Sequence, residues 1–232
     1  MQFIYFIPIA TFFLSLVFSF ILYNHYRSKP EATYILWWLI GVLTYGAGTF
    51  TESFNTLFGW NETNFRWWYI TGALLGGAPL AQGSVYLLLN KKIAHILSGI
   101  LIVAVVLSSI FVLQSPINFS LVEPERMSGK VFEWQWVRAF SPFINLYAVA
   151  FLVGGAIISA VKYFKKTGTS TRFWGNVLIA LGAILPGIGG SFTRLGYVEV
   201  LYVTEFLGLT LIIIAYFKMK SEPTVSVHAN QI

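Results

Sequence analysis

Apolar residues form long, nearly unbroken runs along this chain, and polar residues gather in the gaps between them. Seven runs meet the roughly 20 mostly apolar residues that a bilayer-spanning helix needs: 3–23, 34–57, 65–89, 93–113, 140–164, 173–193 and 197–217. Backbone surrounded by lipid must satisfy its own hydrogen bonds, so each run predicts a helix and not a strand. Only Arg194-Leu195-Gly196 separates the sixth run from the seventh, which predicts a tight antiparallel hairpin. The expectation is an all-α polytopic membrane protein: one transmembrane domain of seven helices over 1–220, then a short, polar, disordered cytoplasmic tail over 221–232.

The longest gap, 114–137, is the exception to short connections and is expected to act as a lid. It contains Pro116, Pro124 and Gly129, followed by the alternating run Val131-Phe132-Glu133-Trp134-Gln135-Trp136. The alternation predicts a strand across the bundle mouth, in a hairpin turning at Ser128-Gly129. The competing expectation is an interfacial loop anchored by Trp134 and Trp136.

Charge sets the orientation. Arg27, Lys29, Lys91, Lys92, Lys162, Lys165, Lys166, Arg172, Lys218 and Lys220 all fall in the gaps after runs one, three and five or at the C-terminus, leaving five of the fifteen basic residues for the other side. Lysine and arginine favour the cytoplasmic face, so the N-terminus is expected outside and the C-terminus in the cytoplasm. The net charge of +6 is then a membrane-topology signal and gives no reason to expect nucleic acid.

Composition narrows the chemistry. Charged residues are 10% of the chain and mean hydropathy is +0.71, against about 25% charged residues in soluble domains. Neither cysteine nor aspartate occurs, so disulfides, thiolate catalysis and many metal sites are excluded. His25 and His95 sit at span ends and His228 in the tail, with no ligand spacing between them. No catalytic or metal set is expected.

Two glutamates break the apolar runs. A carboxylate inside a span costs roughly 2.5–3.5 kcal/mol to insert and normally faces protein, water or a partner. Glu52 lies near the outer end of run two; Glu205 lies about 12 Å below the same boundary at the helical rise. Helical spacing puts Tyr45, Gly48 and Asn55 on the face of Glu52, and Tyr202 and Gly208 on that of Glu205. One expectation is an outward-opening binding site lined by Glu52, Asn55, Tyr69, Gln82, Tyr202 and Glu205. The other is that each glutamate anchors helices structurally, with Arg66, Arg138 or Arg194 as charge partner. If the two carboxyls meet, they must share a proton, which opens a route to proton coupling. Small residues crowd runs three and six, around Gly72, Gly76-Gly77, Gly182, Gly187 and Gly189-Gly190, and predict close helix approach. Pro79 and Pro186 predict kinks in the same two runs.

Seven helices with the N-terminus outside and a carboxylate in the seventh resemble the microbial rhodopsins in architecture. The seventh run contains no lysine, and Lys218 and Lys220 lie beyond it, which argues against a retinal Schiff base. The stretch TES...GWNETNFRWWYITGALLGG...LAQGSVYLL, between Thr51 and Leu89, resembles an uncharacterised family of small prokaryotic seven-helix membrane proteins. More loosely, the chain is similar to the seven-helix sensor modules joined to bacterial histidine kinases, although no kinase follows here. The likeness to the uncharacterised family implies the cytoplasmic membrane of a prokaryote and lends no activity; the residues themselves point to a non-enzymatic module that binds or senses a small molecule or lipid in an outer pocket and acts through a partner membrane or signalling protein. The alternative is a proton- or ion-coupled transporter or channel using the intramembrane glutamates; its weakness is the scarcity of polar residues leading to the cytoplasm, with Gln82, Asn176 and Thr210 as the candidates.

Overall fold

A computed structural model describes residues 3–221, so the tail expected over 221–232 lies, apart from Ser221, outside the described residues. Among these residues the helices are α1 (Ile7–Ser28), α2 (Thr33–Phe58), α3 (Glu62–Trp68), α4 (Ala78–Leu88), α5 (Lys91–Gln114), α6 (Phe140–Ala148), α7 (Gly154–Thr167), α8 (Thr171–Arg194) and α9 (Val198–Lys220). Two π-helical segments extend them: Tyr69–Leu75 follows α3, and Val149–Val153 joins α6 to α7. Asn61, Asn90 and Ser170 start α3, α5 and α8 by accepting the backbone N–H of Asn64, Ile93 and Phe173, as N-cap residues do.

Five helical rods are long and apolar enough to cross a bilayer: Phe3–Ser28, Lys91–Gln114, Gln135–Thr167, Thr171–Arg194 and Val198–Lys220. The two remaining predicted spans are different for identifiable reasons. α2 has the length, at 26 residues, but its last third buries Thr49, Thr51, Glu52, Ser53, Asn55 and Thr56. The third predicted span is interrupted. Its π-helical segment ends at Gly76, whose φ of 43° is the left-handed region, and a Cβ there would lie 2.6 Å from Asn145 Oδ1. The break is buttressed from α6, where Ser141 Oγ and Asn145 Nδ2 both donate to the Ala73 carbonyl, at 2.5 and 3.1 Å. Pro79 therefore makes no kink; it sits in the first turn of α4, where its missing N–H leaves nothing unsatisfied.

α9, α1, α2, the α3–α4 segment, the α6–α7 segment and α8 pack in a closed ring, with α5 against the outside of the fourth and fifth members. The centre is apolar: Phe18 and Leu22 of α1 meet Leu39 and Val42 of α2, Leu80 of α4 and Leu209 of α9. Outward-facing side chains are also apolar, Phe13, Val17 and Phe20 on α1 and Ile100, Val103 and Val106 on α5 among them. In water such a surface would be costly; in lipid it is matched to its solvent. Glycines set the closest approaches. Gly48 of α2 faces Gly72, and Gly182 of α8 faces Gly208 of α9.

The connection 115–137 covers one end of the ring, called here the loop end; the opposite, lysine end carries Lys29, Lys91, Lys166 and Lys220. No strand forms among the described residues. Instead 3-10 turns alternate with two isolated antiparallel bridges, Ile117 with Phe132 and Glu123 with Arg126. The reversal thus falls at Glu123–Arg126, not at the expected Ser128-Gly129, where a 3-10 turn begins. The alternation misled because burial does not follow it: Val131, Phe132 and Val137 are buried, while Trp134 and Trp136 are exposed and stack on each other at 6.0 Å.

Candidate functional site

The glycine contact between α2 and the third segment determines where Glu52 points. Gly48 and Gly72 bring two antiparallel helices into backbone contact, with a Cβ on Gly48 only 3.3 Å from Gly72 Cα. One turn on from each glycine, Glu52 and Trp68 then face each other, and Trp68 Nε1 donates to Glu52 Oε1 at 3.1 Å. Glu52 is 3% exposed and Trp68 8%. Across the ring, α9 presents Glu205 to the same point, and the two carboxyl groups lie close enough to interact. Tyr45, two turns before Glu52 on α2, donates its hydroxyl to the Glu205 backbone carbonyl at 2.9 Å and so ties α2 to α9 directly beside the pair.

The site is acidic and shielded. Glu52 Oε2 and Glu205 Oε2 are both buried, and neither has a hydrogen-bond partner; Glu205 as a residue is partly exposed. Among the described residues neither glutamate joins an ion pair. The expected charge partners are engaged or placed elsewhere. Arg66 binds Glu62 Oε1 through Nε and Nη2, at 3.0 and 2.7 Å. Arg138 bonds Gln135 at 2.6 Å. Arg194, with Arg138, lies within electrostatic reach of Tyr69.

The six residues expected to line one site divide into three groups. Glu52, Glu205 and Tyr202 lie together: Tyr202, about one turn before Glu205 on α9, is 2% exposed and packs edge-on against Tyr5 at 6.1 Å. Asn55 and Tyr69 belong to the seam beneath the loop. Asn55 Nδ2 donates to the Pro124 carbonyl at 3.3 Å while its Oδ1 is buried without a partner. The Tyr69 ring meets Phe132 at 4.9 Å. Gln82 is elsewhere, in a separate network. Its amide nitrogen donates to Ala94 O and Ser98 Oγ, at 3.0 and 2.8 Å, and its oxygen accepts from Tyr147. From Ser98 the bonds run to the Tyr86 hydroxyl at 3.1 Å and on to His95 Nδ1 at 2.8 Å, where His95 is exposed at the lysine end.

Sequence reasoning missed Trp68 and gave Tyr45 no role beyond sharing a face. Trp68 looks like an interfacial belt residue by position, as its neighbour Trp67 is, at 57% exposed. The available signal was Gly72, four residues on, which marks the face of that helix turned toward a neighbour.

The cover over the site is fastened by hydrogen bonds. Tyr5 donates to Glu199 Oε1 at 2.8 Å, and Thr56 donates to the Tyr5 carbonyl at 3.1 Å, closing the 3-10 turn that precedes α1 onto α2 and α9 above the pair. Arg66 anchors the loop by donating to Val112 O and Ser115 O, carbonyls at the end of α5 that lack a helical partner. Arg66→Ala is expected to speed amide hydrogen exchange across 115–137 and to cost roughly 2 kcal/mol of stability, the scale of lost charge-assisted hydrogen bonds. Arg138→Ala, whose bond stays inside the exposed loop, should change neither. Equal exchange in both variants would show that Arg66 does not hold the loop.

Fold and site together define a helical integral membrane protein with a buried carboxyl pair under a loop-covered end. No protein-family model and no curated protein matches the chain.

Proposed function

We propose that the chain crosses the cytoplasmic membrane seven times, with the loop end outside and the lysine end in the cytoplasm, and serves as a non-enzymatic binding or sensing module. α2 and the broken third segment supply the two crossings beyond the five long apolar helices. The ligand proposed for the Glu52–Glu205 site is a small cation, the smallest being the proton.

One observation carries this reading: two carboxyls lie close enough to interact, each with a buried, unpartnered Oε2, and among the described residues neither forms an ion pair. Two carboxyl groups at that range need a positive charge between them. Trp68 and Tyr45 hold the pair in register, and the loop with Tyr5 forms the cover through which the ligand would pass. Response to the ligand would be relayed to a partner membrane or signalling protein.

Titration of the purified protein with sodium or potassium chloride in weak buffer tests the reading. A proton released per chain by wild type, absent from Glu52→Gln/Glu205→Gln and retained in Glu62→Gln, is the expected result. Indistinguishable release from wild type and the double variant would overturn it.

Transport is the second reading, and the chain of hydrogen bonds from Gln82 through Ser98 and Tyr86 to His95 favours it. It supplies polar groups toward the cytoplasm that spacing alone did not reveal. Cation or proton flux into proteoliposomes, abolished by Glu205→Gln and by Gln82→Leu, separates a carrier from a sensor; binding without flux leaves the sensor.

A further inference from the structure

A second feature lies at the lysine end, between α1 and α9, and the carboxyl pair does not use it. The two helices run parallel there, tied by a 2.9 Å bond between the Tyr216 hydroxyl and His25 Nδ1 and by the edge of Phe18 on Tyr216 at 5.4 Å. Beside this tie is a groove of about 550 Å³. Phe20, Ile21 and Phe217 form its apolar walls, and His25, Lys29 and Lys220 its polar rim.

The rim is over-supplied with positive charge. Lys220 Nζ lies 5.7 Å from the Tyr216 ring centroid, and both Lys29 and Lys220 act electrostatically on His25. Neither lysine forms an ion pair among the described residues. Each helix C-terminus presents about half a negative charge, so two ends offset roughly one of the two lysines and leave the other uncompensated. The preference of lysine for the cytoplasmic side accounts for the end at which these residues sit. It does not account for two cations and a histidine, from helices 191 residues apart in sequence, meeting round one apolar groove. In the tautomer whose Nδ1 accepts from Tyr216, the other ring nitrogen of His25 carries a hydrogen to donate.

We propose that this groove binds an anionic phospholipid, its phosphate held between Lys29 and Lys220 and reached by His25, its acyl chain lying on Phe20, Ile21 and Phe217. Basic groups at the lysine end of a bundle suit an anionic headgroup, and the apolar walls give the tail a site that a soluble anion would leave unused.

Native mass spectrometry of the full chain, released from detergent containing equal phosphatidylglycerol and phosphatidylcholine, tests the proposal. Wild type should retain phosphatidylglycerol about tenfold or more over phosphatidylcholine. Lys29→Gln/Lys220→Gln should lower that retention about 25-fold, at about fivefold for each lysine. Lys91→Gln/Lys92→Gln removes the same charge from the start of α5 and should alter it less than about twofold. Equal retention of the two lipids by wild type, or equal losses from the two lysine pairs, would overturn the site. Displacement of bound lipid by millimolar glycerol phosphate would overturn it too, by showing that the tail contributes nothing. The readout is independent of Glu52 and Glu205, so the site stands or falls apart from the carboxyl pair.

Discussion

Gly182→Leu is expected to leave almost no folded protein recoverable in detergent, and Gly182→Ala to lower the unfolding temperature markedly. A Cβ on Gly182 would lie 2.6 Å from the Gly208 carbonyl oxygen, 3.0 Å from Ile212 Cγ1 and 3.2 Å from Leu211 Cβ. The nearest obstacle is backbone and cannot rotate away, so α8 and α9 would have to separate. Overpacking of this kind costs about 1–3 kcal/mol for a single methyl, and leucine adds three more carbons against the same wall. Movement of α9 would also displace Glu205, whose helix is the one pushed. Gly187 and Gly190 lie on the same helix, and a Cβ at either would meet nothing within 4 Å. Alanine there should be neutral or stabilising by up to about 1 kcal/mol through helix propensity. Thermal unfolding of the three alanine variants, followed by fluorescence or light scattering, gives the comparison. Similar losses at all three positions would mean that the α8–α9 contact is not specific.

That pattern also shows why much of the fold was legible in the sequence. Long apolar runs, small-residue clusters in runs three and six, and the three-residue gap at Arg194-Leu195-Gly196 are local signals, and lipid removes the strand alternative. The helices α1, α5, α8 and α9 therefore emerge close to the expected bounds. What spacing cannot encode is a backbone that changes its hydrogen-bond period. The π-helical turn at Tyr69–Leu75 and the break at Gly76 depend on Ser141 and Asn145, some 70 residues away, taking up the Ala73 carbonyl. The loop escaped for the same reason. Its alternation of large and polar residues is genuine, but Phe65 and Tyr69 decide which side chains are buried, and they select Val131, Phe132 and Val137.

The site was legible only in part. Glu52 and Glu205 stand out because a carboxylate in an apolar run is costly wherever it points. Their meeting follows from α1 packing against both α2 and α9, which brings those two helices side by side and which no local pattern shows. Gln82 was grouped with them because it too is polar at depth, yet its partners on α5 draw it to the lysine end. Arg66 was a reasonable charge partner by distance along the chain; Glu62, one turn before it, and the open carbonyls of α5 hold it instead.

Replacing Glu52 alone by leucine should be more damaging than replacing both glutamates. Glu52→Leu removes the group that touches Glu205 and takes the acceptor from Trp68 Nε1, stranding one carboxyl and one indole N–H out of reach of water. Breaking a buried polar pair from one side costs about 3–5 kcal/mol, whereas exchanging both members for apolar residues of similar size is often neutral. Glu205→Leu should behave like Glu52→Leu, except that the partial exposure of Glu205 leaves its site some access to relax. The double variant Glu52→Leu/Glu205→Leu is thus expected to recover at least about 2 kcal/mol relative to the sum of the singles, a coupling of the size seen between groups in contact. Glu52→Gln is the complementary case, since the amide keeps an oxygen for Trp68 and gains an N–H to donate to Glu205, so its stability should stay close to wild type. Unfolding midpoints for the three leucine variants form a closed cycle with the parent. Strictly additive losses would mean that the two carboxyls do not interact, and the centre proposed for this protein would go with that contact. Recovery in the double variant, joined to loss of cation-linked proton release, would separate what the pair costs the fold from what it does for function.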